Sequence, residues 1–283
     1  MADTIIKKDQ LQAEVERFLD IQPTFLRHVN LKYSPSIKRA GDTATVQTFP
    51  DISLSSGTAG ADIADQDFTI SGTNIVADQV DQARISITDF DEAVSNLDLH
   101  SQIAGRIAYE VNDSMEKYYV GLHVNALAAN ELDDGDLATA TNGGAGNAAI
   151  ISKTNVYEAF SILNQKLDEN NATGRRYAFV SPAIKAILIQ AGFGNGSDTG
   201  YGDGKEGMVA EVAGLEIYVT NNAPTGFMIA MDSEAVHGVA KYAKVDVREA
   251  TTGFYDNVIV ESIYGGKVLP NGAKRIATLS VTN

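Results

Sequence analysis

The feature that most constrains the fold is a long helical pattern that directly follows a long region without one. Residues 89–130 contain no proline. Apolar residues recur there at spacings of three, four or close multiples, as in an amphipathic helix: Val94, Leu97, Ile103, Ile107, Val111, Met115, Tyr118, Leu122 and Leu127. We predict one helix over residues 91–130, which would be about 60 Å long at about 1.5 Å per residue. The alternative is two helices with a kink near Gly105 or Gly121.

The region before this helix is extended and has few large apolar residues. Residues 43–49 read as a strand that Pro50 ends, and residues 68–70 read as a second short strand. Gly72, Thr73 and Asn74 interrupt the strand pattern. Residues 84–87 alternate between apolar and polar, as in a half-buried strand. A lone hairpin has no second layer to cover it. We therefore predict an extended arm that needs neighbouring copies of the chain to bury it.

The remaining segments predict further helices and strands in mixed order. Residues 10–31 begin with an amphipathic helix that Pro23 breaks, followed by a short turn. Residues 133–146 form a loop rich in Gly, Asp, Ala and Thr, the best candidate for a domain boundary. Beyond it we predict helices at 155–170 and from Pro182, and strands at 177–180, 215–219, 227–231, 244–248, 257–261 and 275–281. The predicted class is α+β.

Composition excludes several kinds of function. The 283 residues include no cysteine, which excludes disulfide bridges, thiolate metal sites and a cysteine nucleophile. The first residues lack a continuous apolar run, so we expect no signal peptide, and no run approaches the length of a membrane span. The net charge of −15 makes the chain a poor general nucleic-acid binder. This acidity serves either solubility or a surface that encloses nucleic acid without adhering to it.

Motifs that carry chemistry are scarce. The four histidines, His28, His100, His123 and His237, form no recognisable ligand pair. Asp133, Asp134 and Asp136 resemble the start of a calcium loop, but Ala138 and Gly144 occupy the positions that need glycine and glutamate. We predict a solvated acidic turn there. The glycine-rich residues 192–207 follow a helix rather than a strand, which favours a flexible loop over a dinucleotide site.

Four segments carry a resemblance to a known family. They are Lys-Arg-Ala-Gly-Asp-Thr at 38–43, Gly174-Arg175 before a strand, Val180-Ser181-Pro182, and the strand at 212–222 with Thr220 in the usual serine place. In this order, and with the long helix between the first and second, the chain resembles the major capsid proteins of tailed bacteriophages, whose fold was first described in phage Hong Kong 97. The resemblance covers nearly the whole chain.

The resemblance implies a division of the chain into five parts. Residues 1–32 would be an N-terminal arm, 33–88 an extended β-hairpin loop over the adjacent subunit, and 89–150 a peripheral domain with the long spine helix. Residues 151–239 would form a mixed α/β axial domain, and 240–283 would return to the peripheral domain. The candidate intersubunit contacts are Lys38, Arg39, Asp42, Phe49, Phe68, Ile70 and Arg84.

The resemblance also implies partners. Members of the family are structural proteins that self-assemble into hexamers and pentamers, which tile an icosahedral shell around double-stranded DNA. The expected partners are other copies of the chain, a scaffolding protein and a portal, with no sequence-specific DNA binding and no membrane. The chain would be made in the host cytoplasm and end in the virion. We expect it not to be an enzyme, with no catalytic residue, no cofactor and no metal site.

Two alternatives stay open from the sequence. An encapsulin-like nanocompartment shares the fold but encloses cargo enzymes, and the sequence does not separate it from a phage shell. A less favoured alternative is an acidic carbohydrate-binding or hydrolase domain that uses the loop at 133–146 or the loop at 192–207.

Overall fold

The computed structural model describes residues 24–48, 52, 54, 69–88, 99–193, 208–249 and 255–282. Within these residues the helices are α1 (Leu99–Gly121), α2 (Val156–Glu169), α3 (Pro182–Gln190) and α4 (Pro270–Ala273). The strands are β1 (Thr43–Thr48), β2 (Ser71–Val76), β3 (Gln79–Thr88), β4 (Glu131–Leu132), β5 (Ala149–Ile150), β6 (Arg176–Val180), β7 (Met208–Val212), β8 (Leu215–Val219), β9 (Phe227–Asp232), β10 (Val236–Glu249), β11 (Tyr255–Val268) and β12 (Ile276–Thr282). The predicted α+β class is confirmed.

Seven strands form one mixed sheet in the order β4–β12–β9–β6–β8–β7, with β5 also paired to β12. Strand β12 runs antiparallel to β9 and parallel to β4 and β5. Helix α2 packs on this sheet because its apolar residues recur every three or four positions. Val156, Phe160, Leu163 and Leu167 are all fully buried. The predicted helix at 155–170 and the predicted strands of this region are therefore confirmed.

A second sheet has three strands in the order β10–β11–β3. Strands β10 and β11 have 14 residues each and pair antiparallel. Helix α1 packs against both strands and buries Ala104, Met115 and Tyr119 completely. This is the long helix of the sequence pattern, and its apolar face is covered by the chain's own sheet.

Two glycines allow α1 to approach the long strands closely. Gly238 and Gly266 face each other across β10 and β11. A Cβ atom at Gly238 would lie 2.6 Å from Cε1 of Tyr119, and one at Gly266 would lie 2.7 Å from the same atom. The Tyr119 hydroxyl reaches past them and lies 3.0 Å from the Val239 carbonyl oxygen and 2.9 Å from that of Gly265. Glycine is therefore required at both positions for steric reasons.

The predicted arm is a two-stranded hairpin whose base is anchored in its own chain. Strands β1 and β2 pair antiparallel from Thr43 with Val76 to Thr48 with Ser71. One face of the hairpin buries three apolar side chains, while the rest of the strands is largely exposed. The buried cluster at the base consists of Ile37, Ala44, Val46, Ile75, Ala77, Val239, Ile263 and Leu269.

The prediction of one α-helix over residues 91–130 is wrong at its C-terminal end. The α-helix ends at Gly121 and is followed by the 3-10 turns Leu122–Asn125 and Ala128–Asn130. The backbone N–H of Leu127 donates to the carbonyl oxygen of Ala273 at 3.0 Å, so a tertiary contact replaces the helical hydrogen bond there. The described part is about 35 Å long at about 1.5 Å per residue. It passes through Gly105 without a break, and residues 91–98 lie outside the described residues.

The second strand of the arm was predicted at the wrong residues. Thr69 and Ile70 are outside the strand, and β2 instead includes Gly72, Thr73 and Asn74, which were predicted as punctuation. These residues pair because β1 provides a partner for each of them, and Thr45 Oγ1 donates to Asn74 Oδ1 at 2.8 Å. Tertiary pairing here overrides weak strand propensity.

The predicted N-terminal helix falls mostly outside the described residues, which begin at 24. The short turn predicted after it is present as the 3-10 helix Leu26–His28. Phe25 and Leu26 are buried against the core of the spine helix, and the rings of Phe25 and Phe179 lie 4.5 Å apart. The chain therefore enters the fold between α1 and the large sheet.

Candidate assembly surface

The arm carries exposed apolar side chains beyond its anchored base. Ile52 is 71% exposed and Leu54 is 97% exposed, and both lie between the two strands in sequence. Ile70, one of the candidate contact residues, is 49% exposed just before β2. Exposed Leu or Ile side chains are ordinary when isolated, but three within residues 52–70 make this segment a candidate contact surface.

Three of the predicted contact residues come together in the turn that leads into the arm. The Asp42 carboxylate oxygen Oδ2 accepts hydrogen bonds from the backbone N–H groups of Lys38 and Arg39, both at 2.8 Å. These two bonds hold the pKa of Asp42 below its ordinary value. Gly41 supplies the positive φ of 85° that the turn needs. The role of Asp42 within its own chain is thus to fix the turn from which the two cations project.

The other predicted contact residues are not in this turn. Arg84 lies on β3, where its Nε donates to Asn257 Oδ1 at 3.0 Å, and Ser86 Oγ donates to the same oxygen at 3.0 Å. Arg84 therefore makes at least one contact within its own chain. Phe49 and Phe68 lie outside the described residues.

A basic cleft at the base of the arm was missed by the sequence reasoning. We use this name for the cleft of about 310 Å³ lined by Lys38, Arg39, Ala40, Lys241, Lys244, Glu261 and Ile263. The four cationic side chains are exposed, and Lys241 Nζ donates to the carbonyl oxygen of Lys38 at 2.9 Å. These two lysines are 203 positions apart in sequence, so no local pattern could have joined them.

The segment at 212–222, which carried part of the resemblance, joins the large sheet to the spine helix. Thr220 Oγ1 donates to Glu116 Oε1 at 2.5 Å, and Asn222 Nδ2 donates to Asp113 Oδ1 at 2.8 Å. Glu116 is 3% exposed, and this burial raises the pKa of its carboxyl group. The Thr220 hydroxyl and the Asn222 amide, which follow β8, therefore donate hydrogen bonds to two carboxyl groups of α1.

The acidic loop at 133–146 is largely exposed, as the predicted solvated turn requires, but its second aspartate is not. Asp134 is fully buried and accepts hydrogen bonds from the backbone N–H groups of Thr141, Asn142 and Gly144 and from the Thr141 hydroxyl. These donors hold the pKa of the Asp134 carboxyl well below its usual range. The carboxylate oxygens of Asp134 lie inside the loop and accept hydrogen bonds from its backbone N–H groups, which holds the loop together.

No group of three or more His, Asp or Glu side chains in the described part of the chain is placed to hold a metal ion. The His28 ring packs against the Tyr177 ring at a tilt of 37° with ring centroids 3.9 Å apart, and burial lowers the pKa of His28 to about 4. Among the helices of the described ranges, none is long and apolar enough to cross a membrane.

Comparisons with solved structures show what the fold is similar to. A structure from Mycobacterium phage Che8 has a TM-score of 0.68 and 17% identity, and the match covers 91% of this chain and 90% of that one. The capsid structure of cyanophage P-SCSP1u has a TM-score of 0.65 and 19% identity, with coverage of 88% and 85%. A virus-like particle from Pyrococcus furiosus has a TM-score of 0.56 and 14% identity, with coverage of 96% and 98%.

Comparisons by sequence found no relative of the chain. No family model matches the chain, and no curated protein matches it. The two phage matches extend over about nine tenths of this chain. They do not favour a carbohydrate-binding or hydrolase domain. The chain therefore has the fold of the capsid proteins of tailed phages, as its sequence predicted.

Proposed function

We propose that this chain is the major capsid protein of a tailed phage, and that many copies of it assemble into an icosahedral shell around double-stranded DNA. The observation that supports this most directly is the match to phage capsid structures over about nine tenths of the chain. The fold alone does not determine function. The arm adds support, because an element with exposed apolar residues gains stability when a neighbouring subunit covers it.

The proposal assigns a role to each part of the chain. Residues 1–32 form an N-terminal arm, and the hairpin within residues 33–88 lies over an adjacent subunit. Residues 151–239 form the axial domain, and residues 89–150 and 240–283 form the peripheral domain. Copies group into hexamers and pentamers, with a scaffolding protein and a portal as further partners in assembly. The role is structural rather than catalytic, and the final location is the virion.

Charge is consistent with a wall around DNA. The net charge of −15 disfavours tight binding to phosphate groups. A wall that repels the packed polymer weakly lets DNA move during packaging, whereas a strongly basic wall would hold it. The shell in this proposal therefore encloses DNA without recognising its sequence.

A nanocompartment that encloses proteins is the second candidate, and the similarity to the Pyrococcus furiosus virus-like particle is the observation behind it. Two phage structures have higher TM-scores, 0.68 and 0.65 against 0.56, and most of the matched structures come from phages, which favours the phage shell. Neighbouring genes distinguish the two: portal, terminase and scaffold genes accompany a phage shell, and a cargo-enzyme gene accompanies a nanocompartment.

Negative-stain electron microscopy of the expressed protein tests the proposal. We expect closed particles of uniform diameter, formed by the chain alone or on addition of the scaffolding protein encoded beside it. Light scattering should then report a mass many times that of the 30.1 kDa chain. A chain that stays monomeric under all these conditions would contradict the proposal.

A further inference from the structure

Charge is distributed unevenly between the arm and the rest of the chain. Residues 40–83 contain no lysine and no arginine. We call residues 49–70 the arm tip. It holds four aspartates and no basic residue: Asp51, Asp62, Asp65 and Asp67. Two of its apolar residues, Ile52 and Leu54, are the most exposed large apolar residues in the described part of the chain. The arm tip thus combines negative charge with apolar groups that lack cover.

The basic cleft has the opposite charge. It holds four cations and one acid, Glu261, whose Oε1 accepts a hydrogen bond from Gln82 Nε2 at 3.3 Å. Among the described residues, no ion pair joins any of the four cations to a carboxylate. In a chain with a net charge of −15, four such side chains around one cleft are an unusual local excess.

The paired part of the arm leads away from the turn that contributes to the cleft. The residues Lys38 to Ala40 of the cleft precede the pair Thr43 and Val76, where the hairpin begins. The pairing then continues to Thr48 and Ser71, about 17 Å away at about 3.4 Å per residue. The paired strands therefore lead away from the turn that contributes Lys38 to Ala40, and a tip supplied by a second copy is the occupant that we consider.

We propose that the basic cleft binds the arm tip of a second copy of this chain, through ion pairs between the cleft's cations and the tip's aspartates. The proposal rests on the proposed function, since it names the contact by which one subunit holds the next. The exposed Ala40 lies beside the cations and offers apolar surface to a partner that carries Ile52 and Leu54. Charge complementarity of this kind fixes which surfaces meet.

Phosphate groups of DNA are the competing occupant of a basic cleft. The observations favour the arm tip, because the protein as a whole repels DNA and because the four cations surround a short cleft rather than a long groove. Each copy of the chain, by contrast, has one acidic tip and one basic cleft, so every cleft can bind the tip of another copy. A DNA duplex is therefore included in the test as the alternative ligand.

Binding of a peptide measures the contact without requiring a shell. The probe is a fluorescent peptide of residues 49–70. The host is the full-length chain with the tip aspartates changed to asparagine, so that its own tip does not compete: Asp51→Asn, Asp62→Asn, Asp65→Asn and Asp67→Asn. We expect anisotropy to show binding that weakens with added salt. Adding Lys38→Glu and Lys244→Glu to the host should weaken binding about tenfold or more at low ionic strength.

Matched variants separate this contact from a general charge effect. Lys153→Glu with Lys185→Glu makes the same change at exposed lysines outside the cleft and should leave peptide binding unchanged. Circular dichroism should show that all hosts are folded. No peptide binding, equal binding to the cleft variant, or cleft-dependent binding of a DNA duplex in place of the peptide would each overturn the proposal.

Charge exchange tests the same contact in the assembled protein. Lys38→Glu with Lys244→Glu should reduce the yield of particles, as should Asp62→Lys with Asp65→Lys. The chain with all four changes should recover particles, because the attraction is restored with its sign reversed. Failure of recovery while the wild type assembles refutes the cleft contact and leaves the proposed function intact; failure of the wild type to assemble refutes the function instead.

Discussion

The pair Gly238 and Gly266 makes a quantitative prediction about how the spine helix is held. In Gly238→Ala, the new Cβ would lie 2.6 Å from Cε1 of Tyr119 and 2.9 Å from Cδ2 of Leu31. Carbon atoms in contact are normally about 3.5–4.0 Å apart, so the first distance is short by about 1 Å. Overpacking of this size costs about 1–3 kcal/mol of the free energy of unfolding.

Gly121→Ala is the matched control. Gly121 lies at the end of α1 with φ −59° and ψ −22°, and a Cβ there would meet nothing within 4 Å. Both substitutions reduce the freedom of the unfolded chain equally, by about 0.4–1 kcal/mol, so that effect cancels between them. The variants should therefore differ in the free energy of unfolding by about 1–3 kcal/mol, with Gly238→Ala the less stable.

Urea unfolding followed by circular dichroism measures this difference. It should be repeated at several protein concentrations, because assembly adds stability that depends on concentration. A second background, Tyr119→Leu, removes the ring atoms that clash, and Gly238→Ala should then cost less than half as much. The remaining contact is the end of the flexible Leu31 side chain. Equal stability of the two alanine variants, or an undiminished cost in the Tyr119→Leu background, would refute the steric account.

Three further predictions concern the helix, the arm and the buried carboxylate. Ile107→Pro should prevent folding, with loss of the circular dichroism signal, because proline within α1 costs about 3 kcal/mol or more; Ile107→Leu is the control. Replacing residues 55–68 by a short Gly-Ser linker should leave the chain folded but impair particle formation, seen by light scattering; loss of folding would show that these residues support their own core. Glu116 has a raised pKa because it is buried, so the wild type should lose stability as pH rises from the ordinary glutamate value through the raised one. Glu116→Gln should remove this loss in pH-dependent urea unfolding, and an unchanged profile would contradict the assignment.

The large sheet and its helix could be predicted because their signals are local. In α2, apolar residues at helical spacing fall on one buried face, from Val156 to Leu167. In β9 nearly every side chain is buried, which matches the continuous apolar run of its sequence. A helical period of apolar residues, or a continuous apolar run, indicates which side chains are buried. Helices and strands that carry such a pattern can therefore be recognised from a single sequence.

The parts that escaped prediction depend on distant partners. The end of α1 is set where Leu127 bonds to Ala273, and the strand character of Gly72 to Asn74 comes from pairing with β1. The basic cleft joins Lys38 to Lys241 across 203 positions. Asp134 looked like an exposed acid, yet the loop of residues 141–144 folds back over it. None of these contacts leaves a periodic signal.

The position of β12 has a consequence for the timing of assembly. This strand follows every other described element in sequence, yet it lies inside the large sheet between β9 and β4 and packs under α2. A chain translated only as far as Lys274 lacks the strand that joins these elements, so the core between the large sheet and α2 stays open. In the proposed shell, a subunit would therefore join its neighbours only after β12 has left the ribosome, and incomplete chains would stay out of the particle. A truncation after Lys274 should accordingly fail to enter particles when it is co-expressed with the full-length chain.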